Sequence, residues 1–577
     1  EGARVITRLM WLALLLASAR GLAVPPHAAR LPRPRVARMR TTAMLSVEPA
    51  SARAVDVAVI GGGPAGYAMA AALSSAHTVV LVDPEPERAW TNNYGAWREE
   101  WQALATKLQM PELMSQCIAT EWQVTDCYFG GSFGTPFEQR TRLERPYLQV
   151  DRVALKALLQ RKMSEADGRC TMLKAKLDAS TIAPNLFDAN LVHDAAGSVL
   201  TLSTGTTVRA KLVVDATGFE SRLVRREDLA NGALKKELPP GYQIAYGFCC
   251  CTRSRHDPYA PEAMTLFDYR TDHFEADDAW LKDAVARPSF MYAMPQGEQP
   301  DGTWRCFFEE TSLVGRGDRR LQFGELKRRA ARRLEHLGIE VVPGSVEEEE
   351  FCYIPMGGAL PDLTQRVIAV GGAAATVHPA TGYQVCRMLA STATLAAAIS
   401  SELSRADFEA DAASAAAYAS LWPRWFRYQR DFQVFGGEFL SLQPVENLRG
   451  FFSAFFQLDT QVWAGFLAGW PGLPGNEYHE VWHRRLLFGV GIFVRFPPQV
   501  ALALMLYAVQ FTLEYGTTLL RSFATPLFAT DVGPPEGFRA ERAAARAVYV
   551  EGDAAAKREI RQMLGAVVGD GEEGASA

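Results

Sequence analysis

Several things are scarce in these 577 residues, and each scarcity closes a possibility. Cysteine appears nine times and never as C-x-x-C. Cys249, Cys250 and Cys251 stand in a row, a poor geometry for a metal ion, so the thiols read as reduced and packed and no metal site is expected. Positive charge is not in excess: 60 Lys and Arg face 65 Asp and Glu, a net charge of −5. That leaves no electrostatic footprint for nucleic acid, and none is expected as a partner. Long apolar runs are missing as well. Residues 487–494 and 499–513 are apolar, but Arg495, Pro497 and Pro498 divide them. Neither reaches the roughly 18 residues of a spanning helix. They read as interfacial helices docking on one leaflet, with ordinary buried helices as the alternative. No internal repeat stands out, and nothing sets an oligomeric state.

Acidic residues are absent from 20–47, where Arg20, Arg30, Arg33, Arg35, Arg38 and Arg40 occur. Pro25, Pro26, Pro32 and Pro34 argue against a folded element there. Before that stretch, Arg4 and Arg8 precede the apolar run 9–16, and Ala17-Ser18-Ala19 follows as a small-residue cleavage pattern. The two segments in series form a signal-plus-transit layout over residues 1–50. The implied address is a plastid reached through the secretory route, with plain secretion as the rival.

What is present begins at residue 56. Val57 to Ile60 is a short apolar run with the look of a buried parallel strand. Gly61, Gly63 and Gly66 then take G-x-G-x-x-G spacing at a strand-to-helix turn. The first glycine permits the tight turn, the second lets backbone approach a pyrophosphate, and the third lets helix and strand pack closely. Asp83 closes the next apolar strand about 20 residues on, where an acid can bond a ribose hydroxyl. The unit predicts a dinucleotide site. Pro64-Ala65 between the last two glycines resembles flavoproteins and favours FAD.

Further along, Asp151-Arg152 opens a helix, with helical and loop sequence between 85 and about 140. Strands are expected to end at Asp215-Ala216-Thr217-Gly218, and Val367 to Val370 runs into Gly371-Gly372. The expected fold is α/β: a Rossmann-like, doubly wound FAD-binding fold with an inserted β-rich substrate domain and a helical C-terminal region. Its FAD-binding parts are 51–240 and 356–400. The insert is 241–355, the membrane-associating helices 401–535, and the solvated tail 536–577.

Four blocks carry a family resemblance. They are residues 91–97 (TNNYGAW), 215–219 (DATGF), 307–311 (FFEET) and 378–383 (HPATGY). With the glycine unit they resemble the plant and algal lycopene cyclases. The resemblance implies an acid-catalysed closure of the acyclic ends of lycopene, a carotenoid, with no net redox change. It implies FAD active in the reduced form, NADPH as reductant, and work at a thylakoid or plastid envelope surface. β rings are the favoured product. ε rings, rearranged epoxy-carotenoids and redox chemistry on the same fold are the alternatives.

Such a closure needs a strong acid in a dry pocket. Glu309 and Glu310 are adjacent carboxyls beside Phe307-Phe308, where burial and mutual repulsion would raise at least one pKa. If extended, they point to opposite faces, and only one meets substrate. By resemblance that one is Glu309, with Glu310 in support. His378 reads either as a proton relay or as a neutral hydrogen-bonder holding its loop. Thr381 and Gly382 should lie beside the flavin ring, and Arg152 near the FAD phosphates or adenosine. Gly371-Gly372 stands where hydroxylases of the wider superfamily carry Gly-Asp, so Gly372 offers only backbone contacts. Trp90, Tyr94, Trp97, Trp122 and Tyr246 are candidates for lining a carotenoid tunnel.

Overall fold

A computed structural model describes residues 53–129, 139–177, 191–226, 240–274, 277–529 and 534. The leader read from 1–50 and the tail read from 536–577 lie outside the described residues.

The apolar run before the glycines is a strand, Arg53–Ile60, and its last four residues are buried. It pairs in parallel with Val79–Asp83 on one side and Thr207–Asp215 on the other. Cys170–Lys174 extends the sheet beyond Val79–Asp83, also in parallel. Thr207–Asp215 serves two neighbours on its far edge. Its first half pairs antiparallel with Gly197–Thr201, and its last two residues pair in parallel with Ile368–Ala369. Residues far apart in the chain thus complete one parallel sheet at the carboxyl ends of its strands. The small helix Pro64–Ser74 packs against Arg152–Ser164 and Val385–Leu403. Its alanines allow that close approach. Asp151 caps the second of these helices, accepting from the N–H groups of Val153 and Ala154.

A second sheet of seven strands runs Glu348–Met356, Gly241–Thr252, Trp304–Ser312, Ser289–Glu298, Ala263–Asp268, Val124–Tyr128 and Thr141–Leu143. All neighbours are antiparallel except Ala263–Asp268 with Val124–Tyr128. The insert therefore borrows two strands from outside 241–355. Gly95–Trp97, Tyr147–Val150 and Ile118–Trp122 form a third, small sheet. The stretch 85–140 read as helix and loop; it also holds three strands, each three to five residues long. Runs that short show no legible alternation.

From Val385 onward the described chain is helical. Its aromatics close one side of the second sheet, with Phe452 stacked 4.7 Å from Phe267. The two divided apolar runs form helices Trp482–Phe493 and Pro498–Tyr515. No helix among the described residues is long and apolar enough to cross a membrane. Pro498–Tyr515 is nevertheless apolar on both faces. Val500, Tyr507 and Phe511 are buried, while Leu502, Leu506, Val509 and Leu513 are exposed at helical spacing.

Candidate active site

The glycine turn is built as its spacing requires. Gly61 holds φ +108°, which favours glycine, and a Cβ there would lie 2.6 Å from the Ala216 carbonyl oxygen. A Cβ at Gly66 would run into the Gly61 carbonyl. Gly63 differs: nothing lies within 4 Å of where its Cβ would be. That open side faces a cavity of about 1140 Å³ lined by residues 61–65, Asp83, Gly218 and Phe219. Asp83 stands at its edge. Gly62 N–H donates to Asp83 Oδ2 at 2.6 Å, and Glu85 N–H donates to Oδ1 at 2.8 Å. The second glycine segment meets the first: a Cβ on Gly371 would lie 2.7 Å from that of Ala65. Gly372, Thr381 and Gly382 also line the cavity, and helix Val385–Leu403 begins at its wall.

Glu309 opens onto the same cavity. It sits in strand Trp304–Ser312, whose alternation sends Glu309 and Glu310 to opposite faces. Burial, then the charge of Glu350, pushes the Glu309 carboxyl up to about 8. What exposure it retains is to the cavity. Glu310 turns away and is fully buried. It accepts from Arg333 Nε at 2.8 Å, Arg333 Nη2 at 3.0 Å and Ser289 Oγ at 2.6 Å. The capping box that starts helix Phe323–His336 helps place this arginine.

His378 and Arg152, both named from sequence, stand outside the cavity wall. His378 is fully buried behind its loop, and burial holds its pKa well below the ordinary value. Its Nδ1 accepts from Ala380 N–H at 3.1 Å, while its backbone bonds Tyr383 and Gly382. These bonds hold the loop 378–383, and His378 is not among the residues that line the cavity. Arg152 pairs with Glu348 on the edge strand of the second sheet.

Most of the suggested tunnel aromatics are also elsewhere. Trp97 packs edge-on against Tyr147 at 5.0 Å, and Trp122 donates to the Pro295 carbonyl at 2.8 Å. Trp90 donates to the Gly62 carbonyl at 3.0 Å, and Tyr246 pairs with Glu349. Only Tyr94 of the five lines the cavity, joined by Tyr147, Tyr292 and Tyr383. Sequence reasoning also missed Glu350. It sits in the run of glutamates 347–350, which resembles a solvated face, yet Glu350 and Cys352 alternate inward on strand Glu348–Met356.

Residues 56–474 match the family described as lycopene cyclase protein. The chain is 36% identical over 452 residues to lycopene beta cyclase, chloroplastic, of Nicotiana tabacum, covering 78% of this chain and 79% of that one. It is 36% identical over 443 residues to the Arabidopsis thaliana protein of the same description, covering 76% and 77%. Among solved structures it is similar to the halogenase PltM, at 14% identity and a TM-score of 0.47, over 87% of this chain and 97% of that one. With a match that spans most of its length, this chain belongs to the lycopene cyclase family.

Proposed function

We propose that this enzyme closes the acyclic ends of lycopene into β rings. The observation that carries the reading is Glu309, a carboxyl held protonated in the wall of the cavity onto which the glycine turn opens. FAD fits that turn: Gly63 leaves room for a pyrophosphate, and the first turn of helix Pro64–Ser74 presents N–H groups toward it. When bound, reduced flavin supplies negative charge beside the polyene, with NADPH as the expected reductant.

Glu309 gives its proton to carbon 2 of the lycopene end. Carbon 1 becomes cationic, and the carbon 5–6 double bond attacks it to close the ring. Carbon 5 then carries the charge until carbon 6 loses a proton. One proton enters and one leaves, so no redox equivalent is consumed. Tyr94, Tyr147, Tyr292 and Tyr383 present ring surface to the cavity, suited to a passing cation. Glu310, locked to Arg333, positions the strand; His378 holds the loop 378–383.

This reading puts the enzyme in the plastid, on the surface of the thylakoid or envelope. The relatives' chloroplastic descriptions, the layout of residues 1–50 and the exposed leucines of Pro498–Tyr515 support this. The test is expression of the mature chain in lycopene-making bacteria, with identification of the carotenoids. β-Carotene is expected. Unchanged lycopene would overturn the reading, and ε-ringed products would move it to the other ring type. Reductant consumed in step with product would favour redox chemistry instead.

A further inference from the structure

Glu309 and Glu350 belong to strands that are not neighbours. Between them runs Gly241–Thr252, and the residue paired with both is Gly247. A Cβ there would meet the Phe307 ring first, at 2.6 Å, and would crowd the space beside Glu309. Its absence lets Glu309 lean across, with its Cγ 3.4 Å from where a Gly247 Cβ would stand. Carboxylate oxygens of Glu309 and Glu350 and the Cys352 sulfur then lie within 4.8 Å of one another. Two carboxyls this close in a dry site do not both ionise.

Their surroundings differ. Glu350 lies behind the cavity wall, where Asn93 N–H donates to both of its oxygens at 3.0 Å. Asn92 Nδ2 donates at 3.4 Å and the Cys352 thiol at 2.7 Å. Burial raises the Glu350 carboxyl, and each of these bonds works against that by favouring the anion. Among the described residues no donor is recorded at Glu309. The pair therefore holds its proton on the acid that faces the cavity.

We propose that Glu350 is a positioning residue that keeps Glu309 in its acid form, with Asn92 and Asn93 holding the negative charge on Glu350 and Gly247 letting the two carboxyls meet. This rests on Glu309 being the acid. It also gives a task to Asn92 and Asn93 of the 91–97 block, which sequence alone left without one. Among the described residues, the other titratable or charged groups at the pair are Cys352, Tyr94 from the 91–97 block, Tyr292 from the adjoining strand, and Arg152 from helix Arg152–Ser164, whose charge acts on Glu350.

Glu350→Gln keeps the shape and removes the charge. Measured as kcat/KM against pH in FAD-loaded enzyme, the alkaline limb should move down by about one unit or more. At pH 8 the variant should lose roughly fivefold more activity than at pH 6, by a one-unit shift. Glu350→Asp should restore most of the wild-type limb. A merely structural role would lower activity evenly at all pH values, and that result overturns the proposal. If Glu350→Gln does not fold, infrared spectroscopy of the wild-type chain decides. A neutral carboxyl band near pH 7 that disappears in Glu309→Gln supports the pair, and its absence from the wild type overturns it. Glu309→Gln that still cyclises would sink the acid assignment itself, whereas an inactive Glu309→Gln with an unmoved limb in Glu350→Gln sinks only this inference.

Discussion

Neighbouring glutamates in one strand have opposite fates, and substitutions should separate them. Glu309→Gln keeps a hydrogen-bonding side chain but has no transferable proton. FAD content should stay unchanged while cyclisation falls by roughly 10²–10⁴-fold, the usual scale for a general acid. Near wild-type carotenoid output would send the search for the acid elsewhere. As the proposed acid, the same residue should set the pH response. It donates only when protonated, and its pKa is raised to about 8. Activity should be present below that value and decline as pH rises through it, read as an alkaline limb in kcat/KM. Glu310→Gln should act on stability instead. It removes one partner of an ion pair in which both side chains are fully buried. Losing a buried partner costs about 3–5 kcal/mol. Asp268, 3.7 Å from Arg333, keeps one anion nearby, so the lower end of that range is expected in a denaturant titration.

At the scale of elements, the strand-turn-helix around residues 61–66 makes the sharpest test. Gly63 has φ −74°, which any residue adopts, and open space where a side chain would go. Gly63→Val should therefore fold with unchanged circular dichroism yet retain little or no FAD; full flavin occupancy would refute the cradle. This turn was legible in sequence because each glycine there answers a local constraint. The split of Glu309 from Glu310 was legible too, since alternation is a property of one strand. Glu350 was not, because its role arises from register across three strands and from a missing side chain at residue 247. A run of four glutamates looks solvated until the sheet shows which of them turns inward. The burial of His378 and the pairing of Arg152 with Glu348 are tertiary facts of the same kind. So is the fate of the suggested aromatics, most of which went to packing.

At the scale of the whole molecule, two uses of apolar surface among the described residues bear on function. One is the aromatic layer between the C-terminal helices and the second sheet. The other is the outward face of Pro498–Tyr515, where Leu506 is 64% exposed and Leu513 76%. A hydrocarbon substrate lives in lipid, and a face of this kind suits a leaflet. Leu506→Glu with Leu513→Glu should reduce sedimentation with phosphatidylglycerol vesicles. Each leucine removed from apolar contact is worth roughly 1.5–3 kcal/mol, so the loss should exceed tenfold. Turnover of detergent-dispersed lycopene should persist. Unchanged vesicle binding would place the membrane contact on another face.

The meeting of Ala65 with Gly371 also sets a timetable. A ribosome delivers the glycine turn early and its counterpart only after some 300 further residues, on the order of tens of seconds at ordinary synthesis rates. Until then strand Thr207–Asp215 ends without Ile368–Ala369 beside it. The half-built nascent chain has to wait, its apolar edges open, for the piece that closes the clasp. If the flavin seats on both segments, a chain terminated before residue 368 should emerge without it.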